Sequence, residues 1–346
     1  MKKKILVTGG TGYIGSHTAV ELINHGFEVI IVDDLSNSKQ EVLDGIEKIT
    51  GVRPAFFRFN LCDETKVKHF FEGNPDIVAI IHFAASKAVG ESVEKPLLYY
   101  KNNLLSLLLL LEAMKQFQIP NIVFSSSCTV YGQPDTLPVT EATPFKPAES
   151  PYGNTKQVCE EILRDTCRAN EDVKAISLRY FNPCGAHSSA LIGELPNGVP
   201  GNLVPFITQT AAGIRPQLKV FGNDYNTPDG SAMRDYIHVV DLAEAHVIAV
   251  KRLLEKNQKR NYEFFNIGTG KGLTVLEIIK AFESVNSVKL NYQIVDRRPG
   301  DVEKIYADTS WANSEMGWSA KLDVADMMRS AWKWQQYVSA LELTKP

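Results

Sequence analysis

The order of elements at the start of the chain restricts its fold more than any other feature of the sequence. Residues 2–8 begin with lysines and then become apolar, which predicts a buried parallel strand. This run leads directly into a glycine cluster. Gly10, Gly12 and Gly15 fit the spacing G-x-G-x-x-G, and Gly9, Gly12 and Gly15 fit the variant G-x-x-G-x-x-G. Such glycines permit a tight turn, close approach of the backbone to a pyrophosphate, and close packing of a helix on a strand.

A helix, a second strand and an acid follow in the order that dinucleotide binding requires. We predict a helix from about Tyr13 to Asn24, whose free backbone N–H groups point at phosphate oxygens. The next apolar run, Phe27 to Val32, predicts a second strand and is followed by Asp33. A carboxylate there accepts hydrogen bonds from the adenosine ribose and repels a 2′-phosphate. The segment therefore predicts a Rossmann-type site that prefers NAD to NADP.

Length and charge narrow the classes of function. A chain of 346 residues buries roughly 75% of the surface it exposes when unfolded, enough for one large domain and a smaller one. The net charge of −3 and the isoelectric point near 6.2 provide no basic surface of the kind that nucleic acid binding needs. We therefore expect no nucleic acid partner.

The cysteines indicate a reducing compartment. The five are widely spaced and form no C-x-x-C pair: Cys62, Cys128, Cys159, Cys167 and Cys184. This pattern argues against both a disulfide framework and a zinc site. We expect reduced thiols, no bound metal and a cytoplasmic location.

One strongly apolar stretch, residues 104–111, raises the question of a membrane segment. It is bounded by Asn102, Asn103 and Glu112, whereas a membrane span needs about 20 apolar residues. We therefore predict that the stretch is a helix buried on most sides, and that the protein is soluble.

Strand and helix patterns alternate through the first half of the chain, which indicates a doubly wound parallel sheet of the Rossmann type in an α/β fold. Further strands are predicted at Ala55–Leu61, Ile77–Ala84, Asn121–Ser127, Val173–Tyr180 and Tyr262–Ile267, and further helices around residues 38–49, 63–73, 92–117 and 152–169. After Phe181 the periodicity is lost, and residues 182–202 are rich in Gly, Pro and Asn. We predict a cofactor-binding domain at 1–181 and a smaller ligand-binding lobe at 182–346, with some return of the chain to the first domain. We expect substrate in the cleft outside the strand ends.

Ser127, Tyr152 and Lys156 form a candidate catalytic group. If Tyr152 opens a helix, Lys156 lies one turn further along the same face. A phenol titrates near ~10, so its use as a base near neutrality needs a pKa shift of about 3 units, or roughly 4 kcal/mol. A nearby ammonium and the positive end of a helix both favour the phenolate. We expect these side chains to meet at one substrate alcohol.

Several segments along the chain follow a known pattern. They are residues 7–17 (VTGGTGYIGSH), 82–92 (HFAASKAVGES), 125–127 (SSS), 152–156 (YGNTK), 179–183 (RYFNP), 234–239 (RDYIHV) and 297–301 (RRPGD). Over nearly its whole length the chain resembles the extended short-chain dehydrogenase/reductase family and, within it, the UDP-glucose 4-epimerases. The glycine and Tyr/Lys motifs mark the superfamily, whereas residues 87–92 and the Arg-Asp-Tyr segment are more specific to the epimerases.

The resemblance implies the reversible interconversion of UDP-galactose and UDP-glucose. Tyr152 would take the proton of the sugar 4-hydroxyl, Ser127 would hydrogen-bond the same oxygen, and Lys156 would bind the nicotinamide ribose and lower the pKa of the phenol. Hydride would pass to a tightly bound NAD and return to the opposite face of a 4-keto sugar. The resemblance also implies a homodimer with a seam between the residue 104–111 helix and the Tyr152 helix. A monomer is the alternative.

The resemblance assigns further residues to the two ligands. Those implied for the cofactor are Gly9, Gly12, Tyr13, Ile14, Gly15, Asp33, Asn37, Asn60, Leu61, Phe83, Ala84, Lys87, Asn102, Ser127, Tyr152, Lys156 and Phe181. Those implied for the UDP-sugar are Lys87, Ser127, Tyr152, Asn182, Asn202, Phe221, Arg234, Arg298, Asp301 and Ile305. Guanidinium groups match the oxygens of a pyrophosphate better than ammonium groups do, which agrees with the roles of the two arginines. The alternative for each arginine is a salt bridge with Asp235 or Asp301.

Two positions depart from the pattern of many relatives. Asn60 stands where an aspartate meets the adenine ring, and its amide can both donate and accept hydrogen bonds. Ile305 stands where relatives carry side chains of differing size against the 2-substituent of the sugar. Activity on UDP-N-acetylglucosamine and UDP-N-acetylgalactosamine is therefore a hypothesis that the sequence does not decide.

Other functions on the same fold stay open at this point. Nucleotide-sugar 4,6-dehydratases and UDP-glucuronate decarboxylases carry carboxylates directly after the strand-end hydroxyl residue, where this chain has Cys128 and Thr129. A non-catalytic NAD-binding regulator is a further alternative, although it has no use for a converging hydroxyl, phenol and amine. Net oxidation of an alcohol is another, and it would accumulate NADH. His187 and His238 have no visible partner, and we expect both to serve packing or loop hydrogen bonding.

Overall fold

The computed structural model describes residues 2–297 and 302–343. Arg298 and Asp301 lie outside the described residues, so their roles stay predictions. Among the described residues the strands are β1 (Lys4–Thr8), β2 (Glu28–Asp33), β3 (Ala55–Arg58), β4 (Ile77–His82), β5 (Asn121–Ser127), β6 (Lys174–Tyr180), β7 (Asn182–Cys184), β8 (Leu218–Phe221), β9 (Met233–His238), β10 (Tyr262–Ile267), β11 (Gly272–Thr274), β12 (Tyr292–Val295) and β13 (Lys304–Ile305). The helices are α1 (Tyr13–Asn24), α2 (Val42–Thr50), α3 (Glu64–Glu72), α4 (Val89–Glu94), α5 (Pro96–Gln116), α6 (Pro151–Ala169), α7 (Leu203–Ala211), α8 (Val239–Leu254), α9 (Val275–Asn286) and α10 (Val324–Leu343).

The central sheet is parallel and has the order β10-β6-β5-β4-β1-β2-β3. Apart from the exposed edge strand β3, its strands are largely buried because helices cover both faces, which explains their apolar sequences. The predicted doubly wound Rossmann-type sheet is confirmed. The strand order reverses between β1 and β4, and a crevice for ligands opens at such a switch point, outside the carboxyl ends of the strands.

Several element ends differ from the prediction. The third strand ends at Arg58 and not at Leu61, and the fourth ends at His82 and not at Ala84. The predicted helix at 92–117 is two helices, α4 and α5, which meet at Lys95. The cause is Pro96, because a proline disfavours helical backbone at the residue before it, and Lys95 has φ −129°.

The second half of the chain contributes to both parts of the molecule. Strand β10 adds to the central sheet beside β6, and α8 packs against α1. The other strands form a sheet around β9, which pairs with β7, β11 and β13, and a separate pair of β8 with β12. A third hydrophobic cluster beneath these strands includes Ile207, Phe282 and Met328.

The apolar stretch at residues 104–111 lies within α5. Leu107 and Leu110 are fully buried against the sheet, whereas Leu108 is 42% exposed. Among the described residues, no helix is long and apolar enough to cross a bilayer.

Candidate active site

The glycine loop joins β1 to α1 and lies against the segment that follows β4. Gly9 has φ +68°, a left-handed conformation that favours glycine, and a Cβ atom there would lie 2.8 Å from the backbone nitrogen of Ala84. A Cβ atom on Gly15 would collide with the Gly9 carbonyl. The Gly12 N–H donates to that same carbonyl at 3.0 Å and closes the turn. The glycines therefore let the ends of β1 and β4 approach at the switch point.

The first turn of α1 and the carboxylate of Asp33 border this loop. Among the described residues no side chain caps α1, which leaves the first-turn backbone N–H groups, including those of Tyr13 and Ile14, for an anion. Asp33 ends β2, and its carboxylate accepts hydrogen bonds from the Thr11 N–H at 3.2 Å and the Leu35 N–H at 2.9 Å. The acid is therefore fixed beside the loop.

Other predicted cofactor residues surround the same crevice. Phe83 and Ala84 follow β4, and the Phe83 ring lies 4.6 Å from the ring of His246. On α5, the Asn102 amide donates to the Ser86 hydroxyl at 3.2 Å. Phe181 is buried just after β6.

The predicted adenine side is already hydrogen-bonded internally. The Asn60 amide donates to the Asp34 carboxylate at 3.1 Å, and its oxygen accepts from the Cys62 N–H at 2.8 Å. Leu61 is buried beside it. Asn37 accepts a hydrogen bond from Asn197 at 3.3 Å. Asn60 thus holds the loop that contains Asp34 in place, a role that its position in the sequence did not suggest.

Ser127, Tyr152 and Lys156 come together at the carboxyl end of β5. Ser150 caps α6 by accepting from the Gly153 N–H, and Pro151 begins the helix, which places Tyr152 in its first turn. The Lys156 ammonium donates to the Ser125 carbonyl at 2.7 Å, and its nitrogen lies 5.8 Å from the centre of the Tyr152 ring. The Ser127 side chain lies near the Tyr152 phenol and acts to lower its pKa. The predicted convergence of hydroxyl, phenol and amine is present in the structure.

Burial dominates the electrostatics of this group. It lowers the pKa of Lys156 from 10.5 to about 8. It also raises the pKa of the Tyr152 phenol well above its usual value, with the neighbouring Tyr180 acting in the same direction and the Ser127 hydrogen bond in the opposite one. The expected lowering of the phenol pKa is therefore not produced by these side chains alone, because desolvation outweighs the opposing effect of Ser127.

Four of the residues predicted to bind substrate lie on β7, β8, β9 and β13. Asn182 begins β7 and faces Tyr236 in the register, and Ile305 pairs with Arg234. Ile305 is 4% exposed and belongs to a cluster with Cys128 and Phe181. Phe221 ends β8 on the separate β8–β12 sheet.

Among the described residues Arg234 forms no ion pair with Asp235, whereas a pairing of either arginine with Asp301 lies outside the described residues. The buried carboxylate of Asp235 accepts hydrogen bonds from the Thr269 N–H at 2.8 Å, the Gly270 N–H at 3.0 Å and the Ala307 N–H at 3.2 Å. Arg234 donates to the backbone carbonyl of Met233 at 2.8 Å. In the part of the chain that the structure describes, the hydrogen bonds of this guanidinium thus go to backbone carbonyls and not to a carboxylate.

Comparisons with known proteins agree with this geometry. The family described as GDP-mannose 4,6 dehydratase matches residues 6–331. The UDP-glucose 4-epimerase of Bacillus subtilis is 51% identical over 331 residues, covering 96% of each chain. That of Dictyostelium discoideum is 50% identical, covering 96% of this chain and 95% of its own. The chain belongs to the UDP-glucose 4-epimerase family.

Solved epimerase structures share the whole fold. The Stenotrophomonas maltophila UDP-glucose-4-epimerase, with bound NAD and formylated UDP-arabinopyranose, has a TM-score of 0.94 at 47% identity and covers 98% of this chain and 99% of its own. The Bifidobacterium longum enzyme, in complex with NAD+ and UDP, has a TM-score of 0.92 at 46% identity and covers 96% of this chain and 98% of its own. The similarity includes both lobes, as expected for an epimerase of this family.

Glu194, which the sequence patterns missed, contacts two of the predicted site residues. Its carboxylate accepts a hydrogen bond from Asn202 at 2.7 Å and lies 3.8 Å from the Lys87 ammonium. Burial raises its pKa, and Lys87 and Asn202 oppose that change. Its backbone carbonyl accepts from the Trp334 indole at 2.8 Å. Glu194 belongs to no periodic sequence pattern, so it is recognised only from the residues that contact it in the structure.

The histidines have structural contacts, as expected. His238 caps α8 by accepting from the Val240 N–H at 3.1 Å, and its other ring nitrogen lies 3.0 Å from the Ser330 hydroxyl. His187 hydrogen-bonds Ser189 at 2.8 Å within its own loop. Burial lowers the pKa of His238 to about 4, so its imidazole is neutral near pH 7.

Proposed function

We propose that the protein is a UDP-glucose 4-epimerase, which interconverts UDP-galactose and UDP-glucose by transient oxidation at C4 of the sugar with bound NAD. The observation that carries the proposal is the convergence of Ser127, Tyr152 and Lys156 at the end of β5, beside the glycine loop at the switch point. The relatives and solved structures of the family support the same reaction.

The residues around the crevice fit a dinucleotide. The uncapped first turn of α1 offers backbone N–H groups to a pyrophosphate, and Gly9, Gly12 and Gly15 provide the tight turn. Asp33 offers its carboxylate to the adenosine ribose, which favours NAD over NADP. Phe83, Ala84, Lys87 and Asn102 would complete the site. When bound, NAD supplies a reversible hydride acceptor.

Tyr152 is the group that takes the proton from the 4-hydroxyl of the sugar. Ser127 hydrogen-bonds the same oxygen, and the Lys156 ammonium favours the phenolate. The burial of the phenol works against this ionisation, so positive charge at the site must supply more than the roughly 4 kcal/mol that would bring an unperturbed phenol to a pKa near neutrality. The same phenol returns the proton when the sugar is reduced.

The UDP end of the substrate requires positive charge outside the catalytic group. Arg234 suits this role because its described hydrogen bonds go to backbone carbonyls and not to a carboxylate. Asn182, Asn202 and Lys87 face the same cleft in the proposal, and Arg298, Asp301 and Phe221 would contribute from the second lobe. We assign residues 1–181 mainly to NAD and 182–346 mainly to the UDP-sugar.

The residues after Ser127 argue against dehydration and decarboxylation. Cys128 is buried, and burial raises the pKa of its thiol to about 12, so it is neutral near pH 7. Thr129 carries only a hydroxyl. Loss of water across C5 and C6 requires an acid and a base at these positions, whereas epimerisation needs the one base at Tyr152.

One set of measurements tests the proposal. Purified protein incubated with UDP-galactose should form UDP-glucose until the two reach equilibrium, without accumulation of NADH. Denaturation should release NAD and not NADP. Absence of UDP-glucose would overturn the epimerase assignment, and stoichiometric NADH would indicate net oxidation.

Activity on N-acetylated sugars belongs to the same assay. Ile305 packs with Cys128 and Phe181 near the sugar end of the cleft, so its size limits the room for a 2-substituent. UDP-N-acetylgalactosamine is therefore tested beside UDP-galactose. Turnover of UDP-galactose alone would remove the hypothesis.

We further propose a cytoplasmic homodimer. Its five cysteines are free thiols, which suits a reducing compartment. Support for the dimer comes from apolar side chains that face solvent on α4 and α5: Val93 is 62% exposed, Leu97 82%, Leu98 48% and Leu108 42%. Such a patch on adjacent helices is typical of an interface.

A further inference from the structure

Glu160 lies on the same face of α6 as the two residues that the proposed function uses for proton transfer. Tyr152, Lys156 and Glu160 are four residues apart, so they follow one another along one side of the helix. Glu160 is 3% exposed. We propose that Glu160 is a positioning residue, which fixes α6 on the central sheet so that Tyr152 and Lys156 meet the substrate at Ser127. This inference rests on the proposed function.

The Glu160 carboxylate accepts hydrogen bonds from three strands. On β5 the Ser126 hydroxyl donates to Oε1, and on β10 the Tyr262 hydroxyl donates to Oε2 at 3.0 Å. On β6 the Arg179 guanidinium donates from Nε to Oε1 at 2.9 Å and from Nη2 to Oε2 at 2.6 Å. A two-point contact with a guanidinium fixes both the distance and the plane of a carboxylate.

Arg179 is itself held by aromatic side chains. Its guanidinium carbon lies 5.2 Å from the centre of the Tyr131 ring, 4.9 Å from that of Phe145 and 4.2 Å from that of Phe264. Its Nη1 donates to the Tyr131 hydroxyl at 3.0 Å, which donates to Asn266 at 2.6 Å. The Glu160 carboxylate on α6 thus belongs to a network of buried polar side chains that includes residues of β6, β10 and the turn after β5.

Two successive residues of β5 connect this group to the strand end that carries Ser127. The Lys156 ammonium donates to the Ser125 carbonyl at 2.7 Å, and the next hydroxyl, that of Ser126, donates to Glu160. The distance between the Ser127 hydroxyl and the Tyr152 phenol therefore depends on how α6 sits on β5. A misplacement of about 1 Å at a reacting group can cost on the order of 10²-fold in rate.

Glu160 also places negative charge near Lys156. Burial lowers the pKa of the ammonium to about 8, and Cys159 and Glu160 act in the opposite direction. The other groups that face the ammonium are the Tyr152 phenol on α6 and His82 on β4, which burial keeps neutral. Loss of the Glu160 charge therefore lowers the pKa of Lys156, and the ammonium is lost at a lower pH.

The test replaces the whole charge pair, because Glu160→Gln alone would leave a buried guanidinium without a counter-charge. The double variant Glu160→Leu/Arg179→Met replaces both charged side chains with apolar ones, and proteins often tolerate such a replacement of a buried ion pair. The matched control is Glu263→Leu/Arg252→Met, since Arg252 and Glu263 form a second buried pair with side chains 10% and 9% exposed, between α8 and β10. A milder variant, Ser126→Ala/Tyr262→Phe, keeps the Glu160 charge and removes its two hydroxyl donors.

We expect Glu160→Leu/Arg179→Met to lower kcat by about 10- to 100-fold with little change in KM. The decline of its kcat at alkaline pH should also begin about 1 pH unit lower than in the wild type. The control pair should keep both the wild-type kcat and pH profile. Ser126→Ala/Tyr262→Phe should lower kcat by about 10-fold without moving the pH profile, and it decides the question if the first variant does not fold.

When Glu160→Leu/Arg179→Met folds, either of two results would overturn the inference. One is a folded Glu160→Leu/Arg179→Met variant with wild-type kcat and pH profile, and the other is an equal loss of kcat in the control pair. If the first variant does not fold, wild-type kcat in Ser126→Ala/Tyr262→Phe overturns it. Absence of epimerisation in the wild-type protein is a different outcome, because it removes the proposed function itself.

Discussion

The ammonium nitrogen of Lys156 lies 5.8 Å from the centre of the Tyr152 ring and is held at 2.7 Å from the carbonyl oxygen of Ser125. The carbonyl accepts a hydrogen bond from one of the three N–H groups of the ammonium and keeps the charge at a fixed distance from the phenol. Burial opposes ionisation of both groups. The base strength of Tyr152 is therefore set by a balance between desolvation and nearby positive charge, and that balance can be tested.

Tyr152→Phe removes the proposed base without changing the shape of the helix. We expect kcat to fall by about 10³-fold, since a positioned base contributes 10²–10⁴-fold, while NAD remains bound. The control is Tyr100→Phe, which removes a phenol that accepts a hydrogen bond from Asn154 on the same helix at 2.6 Å. Conversion of UDP-galactose and released dinucleotide are measured for both variants. Undiminished turnover in Tyr152→Phe would place the chemistry elsewhere.

The pH dependence of turnover should report Lys156. Burial lowers its pKa from 10.5 to about 8, so the ammonium is present below that pH and lost above it. Because the proposed function needs the ammonium, kcat/KM should decline above a pH of about 8. In Lys156→Arg the charge persists at every accessible pH, so this decline should disappear even if the maximum rate is lower. An identical decline in both proteins contradicts the assignment.

The fold could be predicted because residues that are close together in the sequence encode its strands and its glycine turn. Apolar runs identified the parallel strands, and the glycine spacing identified the turn before α1. The partners of Asp235 could not be predicted, because they lie on Thr269, Gly270 and Ala307, far along the chain. The contacts of Glu194 with Lys87 and Asn202 were missed for the same reason, since loops without periodicity bring them together. Tertiary contacts of this kind decide the electrostatics of a site.

Gly9 offers a test of the close approach between β1 and β4. In Gly9→Ala the new methyl group would lie 2.8 Å from the Ala84 nitrogen at φ +68°, so we expect a loss of about 2–4 kcal/mol in the free energy of unfolding and loss of bound NAD. Gly26→Ala is the matched control, because φ is +83° there but nothing lies within 4 Å of the added atom. It should lose about 1 kcal/mol and keep its cofactor. Denaturant unfolding and released dinucleotide distinguish the two, and equal NAD loss would contradict the packing argument.

The exposed apolar residues of α4 and α5 provide a test of the dimer. Leu97 is 82% exposed and Leu108 is 42% exposed. Leu97→Glu/Leu108→Glu would place two charges in the proposed seam, so light scattering should show a monomer where the wild type is a dimer. The control is Val199→Glu, a 66% exposed apolar residue in the loop before α7, which should leave the mass unchanged. A monomeric wild-type protein would refute the homodimer.

Glu21 on α1 provides a pH-dependent test of the packing between α1 and α8. Burial and the adjacent Glu244 carboxylate raise the pKa of Glu21 from 4.5 to about 7. A carboxyl group with a raised pKa in the folded state stabilises the protein most below its unfolded pKa, and this stabilisation is lost as pH rises through the folded value. The free energy of unfolding should therefore fall between pH 4.5 and about 7.

Glu21→Gln keeps the shape of the side chain and removes the ionisation. After a discount for the partial exposure of the group, we expect the variant to be about 1–2 kcal/mol more stable than the wild type at pH 8 and to match it near pH 5. His25, 3.1 Å from Glu244, is present in both proteins, so its contribution largely cancels in the difference. Glu72→Gln, an exposed acid on α3, serves as the control. Urea unfolding at several pH values measures the difference, and a constant difference between Glu21→Gln and wild type would show that the two carboxylates do not share a proton in the folded protein.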